Sequence, residues 1–100
     1  MAELNETIHQ PVRLRIMAAL VTLDTGNELD FTYLRKLLDV TDGNLASHLK
    51  GLEKEEYILV HKSFLGRKPN TNYEATEKGK KAFKLHLDAL EQLIKQQKTK

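Results

Sequence analysis

The chain has 100 residues, of which 40% are hydrophobic, enough for one domain with a small core. It contains no cysteine, which excludes disulfides and thiolate metal sites and is typical of cytoplasmic proteins. The longest apolar run, residues 16–23, is too short to cross a bilayer, and the N-terminal residues lack the pattern of a signal peptide. We therefore expect a cytoplasmic protein that does not associate with membranes.

Positive charge is concentrated in one part of the chain. Residues 60–84 carry seven basic and two acidic side chains, although the net charge of the whole chain is only +2. A basic segment of this kind is explained equally well by an ordinary solvated surface and by an anionic partner.

The first predicted helix begins at Pro11, which suits the first helical turn because its missing N–H leaves no hydrogen bond unmade. Apolar residues then recur at spacings of four, four and three: Val12, Ile16, Leu20 and Leu23. Leu4 and Ile8, four residues apart, could form a separate short helical segment before it.

Residues 24–31 predict a turn followed by a few extended residues. Thr32 is a candidate N-cap for a second helix, and Thr41 for a third. The residues expected to face inward are Leu34, Leu37 and Leu38 on the second helix and Leu45, Leu49 and Leu52 on the third. Only about three residues separate the two helices, which is the spacing of a helix-turn-helix.

Residues 57–64 are rich in β-branched and aromatic side chains and predict a strand. The next residues, 65–70, have the composition of a loop, and the alternation in residues 71–75 predicts a second strand. Thr76 can cap a last helix over residues 77–97. The sequence thus predicts a hairpin with a long basic tip, followed by a long helix.

Three stretches have a familiar form: HQPVRLRIMAAL, LDVTDGNLASHLKGLEKEEYI and GRKPNTNYEATEKGKKA. In these stretches, which span most of residues 9–82, the chain resembles winged helix-turn-helix domains, above all small prokaryotic regulators of the MarR and ArsR type. The resemblance implies an α+β, mostly helical fold in one domain over residues 1–100, with a β-hairpin wing and a long C-terminal helix. Relatives commonly have glycine before the aromatic residue that starts the wing, whereas Glu56 precedes Tyr57 here. A left-handed backbone at Glu56 would cost roughly 1 kcal/mol.

In this family the third helix, about residues 42–54, enters the major groove of DNA. The candidate base-reading residues are Asp42, Gly43, Asn44, Ser47 and His48. Candidate contacts to the DNA backbone are Lys50 and Lys54 on the helix and Lys62, Arg67 and Lys68 on the wing, about residues 57–75. Two alternatives remain open: Asp42 could merely stabilise the helix start, and His48 could lie at the turn between helices.

The last helix has more apolar surface than a small core needs. One stripe of it, together with two residues of the N-terminal segment, is the predicted dimer interface: Leu4, Ile8, Phe83, Leu87, Leu90 and Ile94. A second stripe lies beside it: Ala82, Leu85, Ala89 and Leu93. The terminal segments, about 1–10 and 77–97, would then contribute to dimerisation, unless both stripes pack against the first helix of the same chain.

These patterns predict a homodimeric transcriptional regulator that binds palindromic double-stranded DNA. The alternative is a winged-helix module that binds another protein in a larger complex. An enzyme is not expected, because the chain has no glycine-rich phosphate loop, no metal-ligand spacing and no cysteine nucleophile. We also expect no cofactor and no metal, since the four histidines are scattered, and nothing in the sequence identifies a small-molecule effector.

Overall fold

A computed structural model describes residues 3–98 as helices packed on a three-stranded antiparallel sheet. The helices are α1 (Pro11–Val21), α2 (Phe31–Leu38), α3 (Asp42–Lys54) and α4 (Glu77–Lys98). The strands are β1 (Leu29–Asp30), β2 (Ile58–Leu65) and β3 (Lys68–Ala75), in the sheet order β1-β3-β2. The order of elements is the predicted one, and the architecture is that of a winged helix-turn-helix.

The core lies where α1, α2 and α3 meet the base of the sheet. It is built from fully buried aliphatic side chains on all these elements, among them Ile16, Met17, Leu34, Leu45, Leu52 and Ile58. Burying one such side chain stabilises the fold by about 1.5–3 kcal/mol. All three leucines predicted to face inward from α3 are buried, so the opposite face of this helix is turned outward.

The connection between α2 and α3 is fixed by a left-handed residue, a helix cap and an ion pair between the two helices. Asp39 ends α2 in the left-handed conformation, with φ 54°. Thr41 caps α3 as predicted, because its hydroxyl accepts the backbone N–H of Asn44 at 3.1 Å. Arg35 Nε then lies 3.0 Å from a carboxylate oxygen of Asp42, which joins the two helices across the turn.

The start of α2 differs from the prediction. Asp30, not Thr32, is the N-cap, and its carboxylate accepts the backbone N–H of Tyr33 at 2.7 Å. The helix therefore begins two residues earlier than predicted, directly at the end of β1. Leu37, predicted to face inward, is 47% exposed, because only Leu34 and Leu38 point toward the core.

The hairpin of β2 and β3 is longer and its loop shorter than predicted. Leu65 pairs with Lys68, so the loop is only Gly66 and Arg67. Gly66 has φ +65° while Arg67 is not in the positive-φ region, which is the pattern of a type II′ turn. Pro69 lies within β3 opposite Phe64. In a two-residue hairpin the pair next to the closing pair is not hydrogen-bonded, so Pro69 loses no bond.

The base of the hairpin is joined to the start of α4. Thr76 donates its backbone N–H to the carbonyl of Tyr57 and its hydroxyl to the carbonyl of Glu56, at 3.0 and 2.7 Å. The same hydroxyl accepts the N–H of Gly79 at 2.9 Å, which confirms Thr76 as the cap of α4. A side chain at Gly79 would collide with the Tyr57 carbonyl, so glycine is required for this close approach. Glu56 has φ 62°, so this non-glycine residue does adopt the left-handed backbone considered for the position before Tyr57.

The N-terminal segment forms a single turn rather than the short helix considered from the sequence. The His9 N–H donates to the carbonyl of Asn5 at 2.7 Å, and no regular helix precedes α1 within the described residues. Ile8 is fully buried in the core. It therefore offers no surface to a partner, and its assignment to a dimer interface was wrong.

Within residues 3–98 none of the helices combines the length and the apolar character needed to cross a membrane.

Candidate nucleic-acid interface

The outward face of α3 presents small and polar side chains. Asn44 and Ser47 are exposed, and neither side chain is held by a hydrogen bond within residues 3–98. Gly43 is also exposed, and a Cβ placed there would meet nothing within 4 Å. Three of the predicted base-reading residues therefore share one accessible surface.

Asp42 is exposed but engaged. Its side chain is 78% exposed and forms the ion pair with Arg35, and it stands in the first turn of α3. A carboxylate there also interacts favourably with the helix dipole. The geometry supports the alternative that Asp42 stabilises the start of α3.

His48 is turned away from the outward face. Its Nδ1 accepts a hydrogen bond from Arg13 Nε at 3.1 Å, so the half-buried ring lies between α3 and α1. Burial, and secondarily the Arg13 guanidinium, lower the pKa of His48 from its ordinary value of 6.5. The neutral ring then carries its proton on Nε2. We accordingly remove His48 from the base-reading set.

Arg13 was not assigned from the sequence, since helical periodicity did not show which way it faces. The structure places its guanidinium directly against Gly51, where an added Cβ would lie 2.7 Å from a guanidinium nitrogen. Arg13 thus orients α3 on α1 through His48 and Gly51. This contact joins residues 35 positions apart, and no local pattern in the sequence could have signalled it.

A cleft of about 510 Å³ separates α3 from the hairpin. Ser47 and Lys50 line it from the helix, and Lys62 and Thr71 line it from the strands. Thr71 was not predicted as a site residue, but it pairs with Lys62 and so shares its face of the sheet. The helix and the hairpin therefore border one continuous concave surface.

The predicted phosphate-binding side chains are free of acidic partners. No carboxylate of the described residues lies within 4 Å of the charged groups of Lys50, Lys54, Lys62, Arg67 or Lys68. All five are exposed. By contrast, Lys78 and Lys80 at the start of α4 lie 3.7 and 3.3 Å from Glu56 and Glu77. The five cations of α3 and the hairpin thus have no ion-pair partner within the described residues.

The end of the hairpin is also apolar. Phe64 and Leu65 are 70% and 68% exposed. They adjoin Arg67 and Lys68, so the tip combines two cations with two hydrophobic side chains.

The predicted interface residues of α4 are only partly accessible. Leu87 and Ile94 are 45% and 57% exposed, Leu90 is half-buried, and Phe83 packs against the core. Leu4, from the N-terminal segment, is half-buried as well. The second stripe is divided too: Ala89 is buried, whereas Leu85 and Leu93 are exposed.

Comparisons with known proteins place these features in context. A family model described as a winged helix DNA-binding domain matches residues 12–94. An uncharacterized protein of Methanocaldococcus jannaschii is 38% identical over 84 residues, which cover 84% of this chain and 88% of that protein. The solved structure of a transcriptional regulator homologue from Pyrococcus horikoshii OT3 is similar with a TM-score of 0.80 and 33% identity. That similarity covers 91% of this chain and 87% of the solved one.

Proposed function

Because the chain belongs to the winged helix DNA-binding domain family, we propose that it binds specific double-stranded DNA sequences as a homodimeric transcriptional regulator. The observation that carries the proposal is the concave surface shared by α3 and the hairpin. Polar side chains on the helix and unneutralised cations on both elements line or border it. The similar protein from Pyrococcus horikoshii is itself described as a transcriptional regulator homologue.

In this proposal α3 lies in the major groove. Asn44 can pair bidentately with adenine, and the Ser47 hydroxyl can donate to or accept from several bases. Gly43 lets the backbone approach the base edges closely because it has no side chain. Lys50 and Lys54 neutralise phosphates and so position the helix without reading sequence.

The hairpin serves as the wing and lies along the flanking minor groove or backbone. Arg67 stands at its turn and Lys68 directly after it. A narrow A/T-rich minor groove concentrates negative potential, which attracts an arginine at such a tip. Lys62 faces the cleft and extends the contact back toward α3.

Two copies pair through α4 in this proposal. The exposed part of the predicted stripe, Leu87 and Ile94 with the half-buried Leu90, supplies an apolar surface that a second copy would cover. A two-fold dimer presents two α3 helices and so matches a palindromic site.

The replacement Asn44→Ala tests base reading. Once a preferred duplex has been selected from a random pool, fluorescence anisotropy should show specific binding weakened by about 1–3 kcal/mol. Binding to random duplex should change little, because phosphate contacts are untouched. Discrimination should be lost at one base position in each half-site.

Asn27→Ala is the matched control, since Asn27 is an exposed asparagine on the turn after α1. It should bind like the unchanged protein. An equal loss on selected and random DNA would remove Asn44 from the base-reading set. Failure of the unchanged protein to bind any duplex in a salt-dependent manner would overturn the proposed function.

The second candidate function is a protein-binding module. The exposed Phe64 and Leu65 favour it, because apolar side chains at a loop tip are typical of contacts between proteins. Salt separates the two functions: binding to DNA weakens steeply as salt rises, whereas an apolar protein contact does not.

A further inference from the structure

Three potential metal ligands converge on the face of the sheet that is turned away from α3. Residues of β2 alternate between the two faces, so Lys62 borders the cleft while its neighbour His61 lies on the opposite side. Glu74 of β3 is on this opposite face, and Glu28 immediately precedes β1. The order β1-β3-β2 thus brings one ligand from each strand region to the same place.

The distances are those of a compact cluster. His61 Nε2 lies 2.7 Å from a carboxylate oxygen of Glu74 and 3.6 Å from one of Glu28. One ligand atom from each residue can be chosen so that all three lie within 4.8 Å of one another. In a tetrahedral zinc site with bonds of about 2.0–2.1 Å, ligand atoms are roughly 3.3 Å apart. Small side-chain rotations would therefore bring all three into coordination.

The charge of the cluster is not balanced by the rest of the described chain. Within residues 3–98 no lysine or arginine nitrogen lies within 4 Å of Glu28 or Glu74, and their one ion-pair partner is His61. The two carboxylate side chains are only 30% and 22% exposed. The two partly buried carboxylates both lie beside His61 Nε2, and a divalent cation would offset their negative charge.

We propose that His61 Nε2 and the carboxylates of Glu28 and Glu74 bind a divalent transition metal ion such as Zn²⁺. One imidazole with two carboxylates is a donor set suited to zinc and its neighbours, with water in the remaining position. Calcium and magnesium prefer oxygen ligands alone, so they are expected to bind more weakly.

The site was invisible in the sequence because its members stand at positions 28, 61 and 74, with no short ligand spacing. A bound ion would join β1 to the two strands of the hairpin. The site lies on the face of the sheet opposite the proposed DNA surface. Metal binding and DNA binding can therefore be measured separately.

The test is calorimetric titration of the metal-free full chain with Zn²⁺, and with Co²⁺ followed by visible absorption. We expect one equivalent of Zn²⁺ to bind, with little competition from excess Ca²⁺. His61→Ala and Glu74→Gln should each weaken binding by at least about tenfold, since even changes around a ligand commonly have that effect. Chemical shifts of the His61 ring should change on titration.

Two further variants make the result decisive. Glu28 lies outside regular structure, whereas His61 and Glu74 lie within strands. Glu28→Gln should therefore weaken binding with unchanged circular dichroism, even if the variants at His61 and Glu74 disturb folding. His9→Ala should bind normally, and it controls for metal binding by the close histidine pair elsewhere in the fold, His9 and His86. Absence of saturable binding by the unchanged protein, or normal binding by folded Glu28→Gln and His61→Ala, would overturn the proposal and leave a simple His–Glu hydrogen bond.

Discussion

His86 is the buried polar residue of the described chain, and it is fully enclosed where α4 meets the N-terminal segment. Its Nδ1 accepts the backbone N–H of Asn5 at 2.9 Å, and its Nε2 lies 3.3 Å from His9 Nδ1. With Nδ1 accepting, the neutral ring can donate from Nε2 to His9. Burial, and then the neighbouring His9, lower the pKa of His86 from its ordinary value of 6.5.

This lowered pKa predicts that acid destabilises the fold. The unfolded chain binds a proton near pH 6.5, while the folded chain resists protonation until a lower pH. The neutral His86 ring therefore contributes fully to the free energy of unfolding above about pH 7. This contribution is lost as the pH falls from about 6.5 through the lowered pKa of the folded state. Urea unfolding measured between pH 8 and 5 should show this decline.

His86→Gln should make the decline shallower, because the variant has no imidazole at this position, while the lowered pKa of His48 still contributes. Lys84→Gln, an exposed change on the same helix that leaves the histidines intact, should keep the slope of the unchanged protein. A His86→Gln profile as steep as that of the unchanged protein would assign the pH dependence to other groups.

Single residues were predicted well where their effect is local. Thr41 and Thr76 cap their helices through hydrogen bonds to N–H groups three residues ahead, so the sequence alone was sufficient. Asp30 was missed as the N-cap of α2 because it is also the last residue of β1. The extended backbone of a strand residue suits an N-cap as well. The orientation of His48 was left open between two alternatives, because its partner Arg13 lies 35 positions away in the sequence.

At the scale of an element, the wing is defined by its two-residue turn. The loop-like composition of residues 65–70 concealed a regular hairpin that continues through Pro69. Proline was taken as a break, whereas its position in the ladder needs no N–H. Arg67 and Lys68 are consequently held at the tip of an ordered hairpin rather than on a long loop.

Replacing Arg67 and Lys68 together with alanine should weaken binding to every duplex. Each lost phosphate contact makes the plot of log affinity against log salt shallower by about 0.9, so the pair changes the slope by up to about two. The measurement is anisotropy at several salt concentrations.

A double change Lys84→Ala and Lys95→Ala removes the same charge from α4, away from the hairpin. This control should change the slope of log affinity against log salt less than the wing variant does. If the wing variant retained normal affinity and slope, the wing would have no role in DNA binding.

At the scale of the whole molecule, α4 gives the chain its elongated form of 60 × 26 × 21 Å. Its 22 residues extend beyond the small core, and its apolar residues Leu93 and Ile94 remain 41% and 57% exposed. The sequence predicted the long helix and its excess apolar surface. It could not separate buried from exposed members, because the second stripe contains both: Ala89 is buried, whereas Leu85 and Leu93 are exposed.

Ile94→Glu should convert the proposed dimer to a folded monomer. A carboxylate in an apolar interface costs several kcal/mol, and a two-fold interface contains the change twice. Sedimentation should show the lower mass, helical circular dichroism should persist, and binding to a palindromic duplex should be largely lost.

Gln92→Glu introduces the same carboxylate on another side of the helix and should remain dimeric. An unchanged protein that is monomeric at micromolar concentration would refute the dimer. Unfolding of Ile94→Glu would instead assign this stripe to the core of its own chain.

The Thr76 junction joins the base of the wing to α4 with two hydrogen bonds, and Gly79 packs against the Tyr57 carbonyl beside them. We therefore expect the wing and the helix to rotate together. A helix of 22 residues is about 33 Å long. In the proposed dimer, a tilt of roughly 10° at its far end would move the wing by about 6 Å, a sixth of the helix length. A slight change in how two copies cross would thereby alter the distance between their DNA-binding surfaces.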